Sequence, residues 1–188
     1  HGPRQLRDLS TMVRALNPAS GINPFTLANC ADLGDVSPNP VDLEDSMDRV
    51  ASFFKNLQKR NIIPMTAGGD HLISLPILRG LAAAQPLGMI HFDSHTDLFD
   101  SYFGGFKYTH GTPFRRAIEE GLLDPKRVVQ IGIRGTAYNL DDIQWGEAQG
   151  VRIVRVEELF DRGIESVMKE ARSIVGEEPT YCSFDIDF

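Results

Sequence analysis

The chain has 188 residues, of which 41% are hydrophobic and 24% charged, and its formal net charge is −7. This size and composition are typical of one soluble globular domain with a substantial core. The acidic balance argues against nonspecific binding to nucleic acids or to anionic membranes, and no apolar stretch is long enough to span a membrane.

Apolar segments with strand-like composition alternate with helical patterns along the chain. The predicted strands are 26–33, 62–67, 88–93, 128–133, 151–156 and 181–187. The predicted helices are 42–60, 72–84, 112–123, 139–149 and 156–175. Near-continuous apolar strands alternating with helices indicate an α/β fold, a three-layer sandwich in which helices cover both faces of a mainly parallel central sheet.

The two ends of the sequence suggest a piece of a larger domain. The last predicted strand, 181–187, runs almost to Phe188, and a domain rarely ends on an interior strand of its own sheet. We therefore predict that residues 1–188 form a single α/β domain that is incomplete at both ends, with its C-terminal part missing. Cys30 and Cys182 lie in apolar, strand-like contexts, which predicts buried reduced thiols and a cytoplasmic protein.

Acidic and histidine-containing segments follow three of the predicted strands. They read AGGDH, FDSHTD and FDID, and their candidate ligands are His71, Asp93, His95, Asp97, Asp185 and Asp187. In a parallel sheet the ligand site lies at the carboxyl ends of the strands, so these segments are expected to converge. The alternation of Asp93, His95 and Asp97 would aim all three side chains the same way if the backbone there is extended.

So many carboxylates cannot remain ionised in a buried cleft unless cations compensate them. One divalent ion would leave much of the charge in place, whereas two would largely neutralise it. A mixture of carboxylate and imidazole suits Mn(II), with Fe, Co, Ni and Zn as alternatives. A single DxHxD motif could also be a calcium loop or a solvated turn, but three such clusters at strand ends predict a binuclear metal centre.

Three neighbouring polar residues are predicted to have other roles. Asp70 is expected to cap a helix or to support a ligand. His91 lies inside the strand and is expected to be a hydrogen-bonded core histidine that supports Asp93. Asp100 is expected to be a solvated loop residue.

Four motifs in this sequence resemble the signature segments of the ureohydrolases, the superfamily of arginase, agmatinase and guanidinobutyrase. They are GGDH, HFDSHTD, HGTPFRRA and SFDID, in the same order and context. HGPR near the start and VVQIGIRG midway extend the resemblance over essentially the whole chain. The stretch FGGFKYTHGTPFRRA is similar to the agmatinase and guanidinobutyrase branch more than to arginase.

The resemblance implies two Mn(II) ions per chain, or other divalent ions such as Ni, Co or Zn. Their implied ligands are His71, Asp93, His95, Asp97, Asp185 and Asp187. Asp93 and Asp185 would bridge the two ions. His71 and Asp97 would bind the first ion only, and the remaining two residues would bind the second.

The implied reaction is hydrolysis of a small guanidino compound to urea and an amine by a hydroxide that bridges the two Mn ions. Agmatine and 4-guanidinobutyrate are the expected substrates, and His110 resembles the residue that moves protons beside the substrate. Lys107 could pair with a substrate carboxylate, although a surface lysine is the simpler interpretation. The resemblance also implies a homo-oligomer, a trimer or hexamer, with neither nucleic acid nor membrane as a partner.

Two other functions remain open at this stage. A zinc-dependent amide deacetylase shares the architecture but needs only one metal ion. A ureohydrolase-like regulatory protein would need no catalytic activity. The residues that bind the substrate are not assigned, since the family's acidic residue near the guanidinium group comes from a C-terminal region absent from this sequence.

Overall fold

A sheet of four parallel strands organises the computed structural model, which describes residues 2–82, 84–137 and 139–188. The strands are β1 (Leu87–Phe92), β2 (Leu123–Ile133), β3 (Arg152–Arg155) and β4 (Thr180–Phe184). Their order across the sheet is β3-β2-β1-β4. All three strand pairs are parallel, as the sequence predicts.

Helices occupy most of the connections between strands. They are α1 (Gly2–Ser10), α2 (Pro24–Leu27), α3 (Leu43–Lys59), α4 (Ser74–Leu81), α5 (Pro113–Glu119), α6 (Asp141–Gln149), α7 (Val156–Arg162) and α8 (Ile164–Val175). A short 3-10 helix, His71–Ile73, leads into α4. Among the helices of the described ranges, none is both long and apolar enough to cross a membrane.

Helix α3 shows how the sequence specifies these elements. The side chain of Asp42 accepts a hydrogen bond from the Asp45 amide at 3.0 Å, which caps the amino end of the helix. Met47, Phe54 and Leu57 fall on one face and are buried, at the spacing that an amphipathic helix requires. The helix predicted over 42–60 is therefore confirmed.

The core lies on both faces of the sheet. On one face, buried residues that include Met89 and Val128 pack with Leu75 and Phe114 of α4 and α5. On the other face, Val129, Ile131 and Val154 pack with residues of α8 such as Val167 and Ala171. This arrangement is the three-layer sandwich that the alternation of strands and helices predicts.

Two predicted strands are wrong. Segment 26–33 contains the end of α2 and then irregular chain, and 62–67 is irregular throughout. Within the described ranges neither segment pairs with a strand, and its apolar side chains are exposed, as Ile63 and Met65 illustrate. Both segments have strand-like composition, but a strand also needs a neighbour to hydrogen-bond with, and the part of the chain that the structure describes offers them none.

Smaller differences concern element ends and the cysteines. The helix predicted over 156–175 is two helices, because Gly163 between them has a φ of +76°. Strand β4 ends at Phe184, so the last two aspartates follow it in a turn. Cys30 and Cys182 are exposed, which corrects the prediction of buried thiols. The HGPR segment begins at His1, which lies outside the described residues.

Candidate metal centre

The predicted ligands converge where the central strands end. The loop after β1 is held on both sides, because the Asp93 amide donates to the Ile131 carbonyl at 3.2 Å and the Asp185 amide donates to the Phe92 carbonyl at 2.9 Å. The loops after β1 and β4 therefore lie side by side. This is the carboxyl edge of the sheet, as expected for a site in this class of fold.

The imidazole of His71 faces three carboxylates. Its Nδ1 lies 2.9 Å from Oδ2 of Asp97, 3.2 Å from Oδ2 of Asp93 and 3.4 Å from Oδ2 of Asp185. This nitrogen is buried, yet it makes no hydrogen bond of adequate geometry. A buried nitrogen ringed by carboxylate oxygens without hydrogen bonds suits a divalent cation, so these residues fit a metal.

A second group lies beside the first and is more exposed. Nδ1 of His95 is 3.2 Å from Oδ2 of Asp187 and 3.5 Å from Oδ1 of Asp93. The first group consists of His71, His91, Asp93 and Asp97, and the second consists of Asp93, His95 and Asp187. Asp93 belongs to both groups, and within each group the possible ligand atoms lie within 4.8 Å of one another. The two groups could therefore hold two ions that share Asp93.

The backbone turns to bring these side chains together. Ser94 and His95 form bends instead of the extended chain that the alternation predicts, and Asp97 has a φ of +52°. That left-handed conformation is disfavoured for most side chains but tolerated by aspartate and asparagine. The amide of Ser94 donates to Oδ1 of Asp187 at 3.1 Å, which ties the two ligand-bearing loops together.

The charges close to one another in the first group shift the pKa values of His71, Asp93 and Asp97. Burial alone would lower the pKa of His71, but the nearby carboxylates of Asp93 and Asp97 outweigh it and raise that pKa to about 10. Burial opposes ionisation of Asp93, yet His71 and His91 hold its pKa well below the usual range. Burial raises the pKa of Asp97. The carboxylates around His71 thus favour positive charge at this position, which is the environment that a metal cation requires.

One cavity of about 300 Å³ unites the predicted site residues. Its lining consists of Gly69, Asp70, His71, Asp93, His95, Asp97, His110, Asp185 and Asp187. The ring of His110 contacts the rings of Tyr102 and Phe103, at centroid distances of 5.5 and 5.7 Å. The structure thus brings all six predicted ligands and the predicted proton-carrying histidine to one cavity.

Comparison with known proteins identifies the family. The sequence model described as the arginase family matches residues 1–188. The chain belongs to the arginase family.

The relatives within the arginase family include two enzymes of Pseudomonas aeruginosa. The chain is 51% identical over 187 residues to a guanidinopropionase, covering 100% of this chain and 59% of that protein. It is 44% identical to a guanidinobutyrase, covering 99% of this chain and 58% of that protein. A solved structure of proclavaminate amidinohydrolase from Streptomyces clavuligerus superposes with a TM-score of 0.88 at 35% identity, covering 99% of this chain and 62% of the other. The chain thus spans about three fifths of the length of these relatives.

Around the candidate centre of this arginase-family chain, Asp70 and His91 make the contacts that the sequence predicts, whereas Asp100 does more than predicted. Asp70 caps the 3-10 helix, since its Oδ1 accepts from the Leu72 amide at 2.9 Å. His91 is fully buried and its Nε2 lies 2.8 Å from Oδ2 of Asp93. Asp100 is half-exposed, but it also pairs with the buried guanidinium of Arg116 at 3.0 Å, so it anchors a loop and is not merely solvated.

Sequence reasoning missed two buried polar residues next to the histidines. Ser183 Oγ lies 2.8 Å from Nε2 of His71, and Gln130 Nε2 lies 3.1 Å from Nδ1 of His91. Both residues lie in strands between apolar neighbours, so each looks like an ordinary strand residue in the sequence. They can be identified from the register of the strands, because His91 pairs directly with Gln130 on one side and with Ser183 on the other.

Proposed function

We propose that the full-length protein hydrolyses a small guanidino compound to urea and an amine, using two Mn(II) ions per chain. The observation that carries this proposal is the sharing of Asp93 by two adjacent groups of metal-ligand type within one cavity. The names of the relatives support the substrate class, since both Pseudomonas proteins are named for guanidino compounds.

The proposed ligand assignment follows the two groups. His71 and Asp97 would bind one ion, and His95 and Asp187 the other. Asp93 and Asp185 would bridge the ions. The distance of 3.4 Å between Oδ2 of Asp185 and Nδ1 of His71 supports this role for Asp185. Two ions bound here would neutralise the carboxylates, orient the substrate and lower the pKa of a water molecule toward neutrality.

His110 is the proposed proton carrier. Guanidine hydrolysis requires a proton for the departing amine, and an imidazole exchanges protons near neutral pH. His110 lines the cavity that contains the ligands but belongs to neither ligand group. It can therefore hold a proton at the substrate side without competing with the metal, and general acid help of this kind is worth about 10²–10⁴-fold in rate.

The proposed substrates are short guanidino acids, with agmatine as a further possibility. The sequence alone favours agmatine and 4-guanidinobutyrate, and the 51% identity to a guanidinopropionase adds 3-guanidinopropionate. Lys107 lies exposed in the loop that precedes His110, where an ammonium group could meet a substrate carboxylate. That contact would separate guanidino acids from agmatine, which carries an amine instead.

We also propose that the protein is a cytoplasmic homo-oligomer, a trimer or hexamer. Exposed apolar side chains on α1 and the segment after it, including Leu9, Met12 and Val13, support an interface between subunits. Light scattering of the purified full-length protein would measure the subunit number directly.

Urea release tests the proposed reaction. The Mn-loaded full-length protein is incubated with 3-guanidinopropionate, 4-guanidinobutyrate, agmatine and arginine, and with an acetylated amine as control. Turnover of one guanidino compound would support the proposal and choose the substrate. Turnover of the amide with one zinc per chain would favour the deacetylase alternative, and no turnover of any compound with two ions bound would favour the regulatory one.

A further inference from the structure

Three buried polar residues form a row across the sheet beneath the candidate metal centre. His91 on β1 is in register with Gln130 on β2 and with Ser183 on β4. His91 and Gln130 are both fully buried, and Ser183 is nearly so. Because every atom of such a row is withdrawn from water, each hydrogen bond in it must have a defined direction.

The direction of the Gln130 amide follows from its contact with a backbone carbonyl. Gln130 Nε2 lies 2.6 Å from the carbonyl oxygen of Thr96, which can only accept a hydrogen bond. The NH₂ end must therefore face Thr96, since the opposite orientation would place two acceptors together. The second hydrogen of the same NH₂ group points to Nδ1 of His91, 3.1 Å away.

This donation agrees with the contact on the other side of the His91 ring. Nδ1 must accept from Gln130, so in the neutral imidazole the hydrogen is on Nε2. That hydrogen is donated to Oδ2 of Asp93 at 2.8 Å. His91 therefore cannot ligate a metal, although it lies among the residues of the first group. Neither of its nitrogens offers a free lone pair to the cavity.

We infer that Gln130 is a positioning residue for the metal centre, acting through His91. It holds the ring of His91 by donating to Nδ1, and His91 then fixes the orientation of the carboxylate of Asp93, which both groups share. This inference rests on the proposed function, because it assigns a purpose to residues behind the proposed ligands.

Gln130 also holds Thr96, which lies between His95 and Asp97 in the sequence. However, Thr96 has a second anchor, because its hydroxyl donates to the buried carboxylate of Asp142 on α6. Loss of the Gln130 contact would leave that anchor in place. The main effect of losing Gln130 is therefore transmitted through His91.

The first test is Gln130→Met in the full-length protein, which keeps the length of the side chain and removes its donors. Gln144→Met, on the exposed face of α6, is the matched control. In imidazole-labelled, metal-free protein, the ¹⁵N signal of His91 Nδ1 should move toward that of a nitrogen without a hydrogen bond in Gln130→Met and keep its wild-type position in the control. Mn(II) affinity should fall by about 10- to 100-fold in Gln130→Met only, as is usual when a partner of a ligand is lost.

A second pair of variants separates this role from simple packing. His91→Gln retains an amide donor for Asp93, whereas His91→Phe keeps an aromatic ring of similar size and has no donor. We expect Mn(II) affinity near that of the wild type in His91→Gln and a fall of about 10- to 100-fold in His91→Phe. Combining His91→Phe with Gln130→Met should cost little more than either change alone, because both act through the same contact.

An unchanged His91 Nδ1 signal and Mn(II) affinity in Gln130→Met would overturn the inference. If that variant does not fold, equal affinities of His91→Gln and His91→Phe would overturn it instead. None of these measurements uses turnover. A wild-type protein that releases no urea would therefore contradict the proposed reaction only, because the Nδ1 signal and the Mn(II) affinity test the inference separately.

Discussion

Ser183 Oγ lies 2.8 Å from Nε2 of His71, although 112 residues separate the two along the chain. A hydroxyl can accept the hydrogen of Nε2, which leaves the lone pair of Nδ1 directed at the carboxylates of Asp93, Asp97 and Asp185. An imidazole that ligates a metal typically has its other nitrogen held in this way. The last strand of the sheet thus supplies the group that orients a ligand on another element, and the loop after it supplies two of the six proposed ligands.

Ser183→Ala should weaken Mn(II) binding by about 10- to 100-fold, because it removes the partner that holds the His71 ring and its tautomer. Isothermal titration calorimetry with Mn(II) measures the change. Ser173→Ala, on the exposed side of α8, is the control and should bind as the wild type does. Equal affinity in both variants would mean that the Ser183 contact has no part in orienting His71.

His110→Ala should retain its metal and its stability while kcat falls by about 10²–10⁴-fold. The residue is exposed and lies outside both ligand groups, so its loss leaves the core and the ligands intact. Steady-state urea release gives kcat, and elemental analysis and thermal unfolding provide the controls. Activity close to that of the wild type would rule out the proposed proton transfer.

Metal content should follow the membership of the two groups. We expect two Mn(II) ions per chain in the wild type, one in Asp187→Asn and one in Asp97→Asn, and a severe loss of both in Asp93→Asn. Asparagine suits position 97 because it tolerates the left-handed backbone found there. Elemental analysis after dialysis measures the ratio. A wild-type protein that saturates at one ion per chain would contradict a binuclear centre.

Gly80→Ala should destabilise the fold by about 1–3 kcal/mol, because an added Cβ overpacks the contact between α3 and α4. That Cβ would lie 2.6 Å from the backbone oxygen of Ala51 and 2.9 Å from the backbone nitrogen of Lys55. Gly146→Ala is the comparison, since its new Cβ meets only the flexible end of Leu98 within 3 Å. Urea unfolding should show the larger loss at position 80, and the reverse order would contradict this account of the packing.

Arg152 should make the free energy of unfolding depend on pH in the acidic range. Its guanidinium pairs with Glu158 and Glu170 and holds the pKa of each carboxyl below its usual value of 4.5. Because these pKa values are lower in the folded state, the stabilisation is present above pH 4.5 and is lost as the pH falls through the folded values.

Arg152→Met should therefore be less stable than the wild type at pH 7, and the difference in unfolding free energy should shrink below about pH 4.5. Arg155→Met, an exposed position on the same strand, is the control. Chemical unfolding at a series of pH values measures the difference. A gap between Arg152→Met and wild type that stays constant down to pH 2 would exclude these carboxyls as its source.

The sequence predicts the parts of this fold that depend on local pattern. Helix α3 has a capping aspartate and an apolar face with helical spacing, so its bounds are within a residue of the prediction. The central strands are mostly apolar where they pass through the core, because both faces are covered. The candidate ligands are recognisable since charged residues directly after such strands are uncommon and need compensation.

What the sequence does not predict depends on neighbours in space. Segment 62–67 is as apolar as a strand, but no strand in the described ranges lies beside it. Gln130 and Ser183 look like ordinary strand residues until the order β2-β1-β4 places them on either side of His91. The convergence of Asp93, His95 and Asp97 results from bends and a left-handed residue, and alternation along the sequence contains no information about them.

The pairing of β4 with β1 determines when a nascent chain can hold its metal. Ser94 and Asp187, which join the two ligand loops, are 93 residues apart, and a ribosome needs about 5–20 s to add that many residues. During this interval the segment around Asp93 has been made but lacks the partners that β4 delivers. The proposed ions could therefore be fully bound only after β4 has docked, which requires a chain translated beyond Asp187.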